Sequence, residues 1–97
     1  MSATRYEILL PLKYNEGGEI EPEKLLQTKQ ELIQRFGALT VNPHPIEGVW
    51  SRHGGAYVDV EADTPQVQAF FREFKEVLKE RFKQLDIWIV AYPIRLV

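Results

Sequence analysis

The longest regular pattern of apolar and polar positions in the chain lies between residues 63 and 93. Val67, Phe70, Phe71, Phe74, Leu78, Phe82 and Leu85 recur at spacings of three and four, which places them on one stripe of an α-helix. Arg72, Glu73, Lys75, Glu76, Lys79, Glu80 and Lys83 fill the opposite face. Pro65 suits a first helical position, where its missing N–H costs nothing, and Thr64 or Asp63 before it can cap free backbone N–H groups. Asp86 interrupts the pattern. The β-branched and aromatic run Ile87-Trp88-Ile89-Val90-Ala91-Tyr92 then predicts a strand over 87–92, closed by Pro93.

Upstream, residues 5–12 alternate: Tyr6, Ile8, Leu10 and Leu12 point one way and Arg5, Glu7 and Leu9 the other, a half-buried strand with Pro11 near its end. Lys13 to Glu19 carries Asn15, Gly17 and Gly18 and continues no apolar period, so it reads as a loop. Pro22 opens a second helix in which Leu25, Leu32 and Phe36 share a stripe with Leu26 and Ile33 beside it; Gly37 is placed to end it. Thr40 and Val41 begin an extended segment that must be a sheet edge or a bulged entry, because Pro43 and Pro45 around His44 cannot donate to a ladder. Val49-Trp50-Ser51-Arg52 and the run from Ala56 to Glu61 flank His53-Gly54-Gly55, which predicts a hairpin turning at the glycines.

Strand, helix, strand, strand, helix, strand is the order of two split βαβ units. Such units close into a ferredoxin-like α+β sandwich, a four-stranded antiparallel sheet with both helices on one face, here one domain over residues 1–97. The expected core sets Ile8, Leu10, Val58, Val60, Ile87 and Ile89 against Leu32, Phe36, Phe70, Phe74 and Leu78. The second face of the sheet would carry Leu9, Tyr57, Trp88, Val90 and Tyr92 among Arg5, Glu7, Asp59 and Glu61. A last strand apolar on both faces is more than a sheet wetted on one side requires. Self-association through this face, as a dimer or trimer, is therefore the first expectation, and a small-molecule or partner pocket on the same face the second.

The chain has no cysteine, which removes disulfides, thiolate metal sites and cysteine nucleophiles together. No apolar run reaches the roughly 18 to 20 residues that span a bilayer, and the first residues show no signal-peptide core, so no membrane role and a cytoplasmic location are expected. A formal charge of −2 and a pI near 5.7 speak against binding nucleic acid chiefly through phosphate contacts.

Trp50, Arg52, His53, Tyr57 and Asp59 gather about the predicted hairpin, where an imidazole beside a guanidinium and a carboxylate can bind an anion or move a proton. Their spacing assembles no catalytic triad, and the glycines after His53 favour a plain turn. His44 and His53 alone cannot complete a metal site, so neither a metal nor any other cofactor is expected. Glu16, Glu19, Glu21 and Glu23 lack the alternating ligands of a calcium loop and suit a solvated loop and first helical turn.

Tyr57-Val58-Asp59-Val60 after Gly54-Gly55-Ala56 looks like the third strand of RNA-recognition motifs, but Gly55 and Val60 replace its outer aromatics, which disfavours a nucleic-acid-binding module. The stretch from Asn42 to Trp50, with Val90-Ala91-Tyr92-Pro93-Ile94, is similar to the second and last strands of CutA-type and PII-type trimers; the resemblance implies a trimer and no ligand. Leu10 to Asn15, Ile20 to Lys24 and Phe71 to Glu76 resemble small uncharacterised bacterial ferredoxin-like proteins, and no activity comes with that resemblance. Acylphosphatases share the expected fold, but this chain has Asn15-Glu16-Gly17-Gly18 where their phosphate-binding loop carries arginine.

With no nucleophile beside a base and no ligand set, the chain reads as a non-enzymatic binding or regulatory module. The competing expectation is a dimeric α+β barrel enzyme of the small isomerase or monooxygenase type. Its pocket would be walled by Tyr57, Trp88 and Tyr92, with His53 or Asp59 as base.

Overall fold

A computed structural model describes residues 2–42 and 53–97. The elements run β1 (Ser2–Pro11), α1 (Pro22–Phe36), β2 (Thr40–Asn42), β3 (His53–Val60), α2 (Pro65–Arg81) and β4 (Ile89–Arg95). The strands form one antiparallel sheet in the order β2-β3-β1-β4, and with the βαββαβ chain order this is the ferredoxin-like α+β fold. Among the described residues no helix is long and apolar enough to cross a membrane.

Each helix starts on a proline. Thr64 caps α2, its hydroxyl accepting from the Val67 N–H at 3.3 Å. Gly37 ends α1 in the left-handed conformation, φ 82°, and its N–H donates to the Ile33 carbonyl at 2.7 Å. One stripe from each helix meets the inner face of the sheet. Ile8, Leu32, Leu78 and Phe82 are fully enclosed, and Tyr6, Leu10, Val58, Val60, Val67, Phe71, Phe74 and Ile87 surround them. Each large apolar side chain buried there contributes roughly 1.5–3 kcal/mol before entropy is subtracted. Tyr6 lies flat on Phe71, ring centroids 4.0 Å apart, and its hydroxyl donates to Asp63 just before α2. Burial first, and that hydrogen bond second, push the Tyr6 phenol up to about 12.

The structure departs from the sequence pattern at several places, the first being β1, which begins at Ser2 instead of Arg5. His53-Gly54-Gly55 is not a turn: β3 runs straight through it, with Gly54 opposite Leu10 and Gly55 between Leu9 on β1 and Asn42 on β2. Glycine permits a turn but does not compel one, and pairing on both sides holds these residues extended. The strand expected before them at 49–52, and Pro43, His44 and Pro45, lie outside the described residues. β4 begins later than predicted and continues past Pro93 to Arg95, which an edge strand tolerates because the imide nitrogen turns away from the ladder.

The α2 stripe stops short. Lys83 takes φ 52°, the Lys83 N–H donates to the Glu80 carbonyl at 3.3 Å and the Gln84 N–H to the Lys79 carbonyl at 2.9 Å, a Schellman closure with lysine where glycine is usual. Phe82 still reaches the core, whereas Leu85 is thrown outward and is 93% exposed. Leu12, Leu26 and Ile33 also face solvent, Leu12 because β1 ends at Pro11 and the other two because they flank the α1 stripe.

Candidate functional site: the open sheet face

Strand register decides which side chains share the uncovered face. Across β3, β1 and β4 they fall into three rows: Asp59, Arg5, Tyr92; then Tyr57, Glu7, Val90; then Gly55, Leu9 and Trp88, the last pairing fixed by the Leu9 N–H donating to the Trp88 carbonyl at 3.0 Å. The open face therefore carries the aromatics expected on it.

Its polar groups are matched to one another. Arg5 donates through Nε and an η nitrogen to both oxygens of Asp59, at 2.8 and 3.0 Å, and its guanidinium lies 4.0 Å over the Tyr57 ring. The Asp59 hydrogen bond holds the Arg5 cation above its ordinary range. The Tyr92 hydroxyl donates to Glu7 at 2.8 Å, and that bond, with burial second, raises the Tyr92 phenol. Directly opposite residues supply the ion pair, and diagonal neighbours supply the stacking and the phenol–carboxylate bond.

Of the residues expected to act together, the structure unites Tyr57 and Asp59 through Arg5, and places Tyr92 beside them. Trp88 stands one end of the face away. His53 sits opposite Pro11, four residues along β3 from Tyr57, which at strand rise is about 13 Å. Trp50 and Arg52 lie outside the described residues. Arg5 and Glu7 had signalled only their face; the register of β1 makes them the centre of the network. Among the described residues no group of three or more His, Asp or Glu side chains is placed to hold a metal ion.

A second polar cluster had no signal in the sequence. Arg81, its side chain 11% exposed, reaches from the end of α2 to Glu31 at 2.6 and 3.1 Å and to the hydroxyl of fully buried Thr28 at 2.8 Å. Thr28 in turn donates to the Lys24 carbonyl at 2.8 Å. Lys24 donates to the Tyr14 hydroxyl at 2.7 Å and the Arg81 carbonyl at 3.0 Å, and Tyr14 donates to Glu21. The Tyr14 hydroxyl, first among several contacts, lowers the Glu21 carboxyl and raises the Lys24 ammonium. These bonds fasten α1, the 12–21 connection and the end of α2 together, and each partner is used internally.

No family model matches the chain, and comparison with curated proteins and with solved structures gives no match either.

Proposed function

We propose that the chain is a non-enzymatic binding or regulatory module of the cytoplasm that works as a homo-oligomer, assembled through the open side of its sheet. The observation that supports this is the state of the apolar residues there. Trp88, just before β4, is 65% exposed, and Val90 and Tyr92 at the following alternate positions are 43% and 37% exposed, while Arg5 pairs with Asp59 and Glu7 accepts from Tyr92. Exposed aromatics grouped in this way mark an interaction surface, and a second copy brings an identical set. The face offers little to a chemical reaction: for Asp59 to take a substrate proton it would have to give up Arg5, and His53 lies at the far end of β3. This favours a module over a barrel enzyme.

Light scattering at micromolar protein tests the reading. The wild type should exceed the monomer mass of 11.3 kDa. Trp88→Ala should weaken association about thirtyfold, the consequence of losing about 2 kcal/mol with an aromatic anchor. Lys79→Ala, on the solvated face of α2, should change nothing. A wild type that stays at the monomer mass throughout would refute the proposal.

A further inference from the structure

β4 is an edge strand, and the bond from the Leu9 N–H to the Trp88 carbonyl fixes which of its backbone groups are spoken for. In an antiparallel pair the hydrogen-bonded positions alternate, so Trp88, Val90, Tyr92 and Ile94 turn their N–H and C=O groups towards β1. Ile89, Ala91, Pro93 and Arg95 turn theirs to the edge, which is free among the described residues. The edge therefore offers three donors, at Ile89, Ala91 and Arg95, and at Pro93 only an acceptor. Ala91 and Pro93 are exposed, so neither helix roofs this part of the strand.

The geometry points to a partner that is a second copy of β4, laid antiparallel about a two-fold axis through Val90, so that two four-stranded sheets become one of eight. The inference rests on the self-association proposed above and places the contact along the β4 edge, where the apolar residues of the open face meet side by side. One register keeps Pro93 away from the centre of the new ladder. With Ile89 opposite Ala91 of the second copy, and Ala91 opposite its Ile89, four backbone hydrogen bonds close without calling on Pro93. A register centred on Ala91 instead sets Pro93 opposite Ile89 and leaves two carbonyls without donors. Proline thus disfavours any alignment that sets Pro93 opposite Ile89 or Ala91.

The favoured alignment also places the exposed side chains. Val90 faces Val90 across the axis, and each Trp88 lies directly opposite a Tyr92, in non-hydrogen-bonded pairs where side chains approach most closely. The three most prominent apolar residues of β4's open side cover one another. A single two-fold operation meets the backbone and apolar requirements together.

Two variants of the full chain test the geometry. Ala91→Pro removes an outward N–H while leaving the bonds from Val90 and Tyr92 to β1, so it should stay folded by circular dichroism yet run at monomer mass. Val90→Cys introduces the chain's only thiol on the axis, where opposed Cα atoms about 4.5 Å apart suit a disulfide. It should oxidise to covalent dimer far faster than Lys79→Cys, because paired thiols meet at a high effective concentration. An oligomer that Trp88→Ala dissociates, but that Ala91→Pro leaves intact and Val90→Cys does not cross-link, would overturn edge pairing and leave self-association standing. A wild-type monomer would remove both. Should Ala91→Pro unfold, the cross-linking comparison decides alone.

Discussion

Lys83 occupies a backbone conformation that an L side chain disfavours, and comparing two replacements at this position measures the cost. At φ 52° it closes α2 with the two hydrogen bonds of a Schellman motif, so the conformation is held by the helix end and not by the lysine side chain. A left-handed conformation costs an L-residue about 1–2 kcal/mol. Glycine avoids that cost but gives back about 0.5–1 kcal/mol through the greater freedom of its unfolded chain. The midpoints of these ranges leave about 0.75 kcal/mol in favour of Lys83→Gly. One side-chain contact runs the other way: the Lys83 ammonium lies 5.5 Å from the centre of the Tyr14 ring, an exposed cation–π contact worth about 0.5 kcal/mol. Lys83→Ala loses the same contact and keeps the strained backbone, so comparing the two variants isolates the backbone effect.

Urea denaturation followed by circular dichroism, with all chains at one concentration, should show Lys83→Gly more stable than Lys83→Ala by about 0.5–1 kcal/mol. Melting temperatures should differ by roughly 2–8 °C in a chain of 97 residues. If glycine is no better than alanine, residue 83 is not left-handed and α2 does not end as described.

Phe74→Ala, which empties a buried position stacked on Phe70, should cost about 3–5 kcal/mol, whereas Glu73→Ala on the exposed side of α2 should shift the denaturation midpoint little. Equal effects would mean that the helical phase is wrong. Tyr6, raised from 10.0 to about 12, binds its proton more tightly folded than unfolded, so its contribution is complete below pH 10 and is lost between pH 10 and about 12. Over that window the loss is of order 2–3 kcal/mol. Tyr6→Phe should flatten the alkaline fall in stability measured by urea titration at successive pH values; an unchanged slope would show that Tyr6 is not the group responsible.

The sequence by itself determined the element order, the class of fold and most of the core, because these depend on short-range periodicity. Spacings of three and four put Val67, Phe71, Phe74 and Leu78 inside; alternation put Tyr6, Ile8 and Leu10 on one side of β1 and Arg5, Glu7 and Leu9 on the other. Pro22, Gly37, Thr64 and Pro65 marked helix ends because capping is settled within a turn of the chain. The tertiary structure alone decided what depends on partners distant in sequence. Pairing with β1 and β2 drew His53-Gly54-Gly55 into a strand, and the edge position of β4 let it pass through Pro93. Contacts spanning 50 residues or more joined Arg5 to Asp59, Tyr6 to Asp63 and Arg81 to Thr28 and Glu31. Such pairs leave no periodic trace, because a side chain's own neighbours in sequence carry no record of the strand or helix that folding sets beside it.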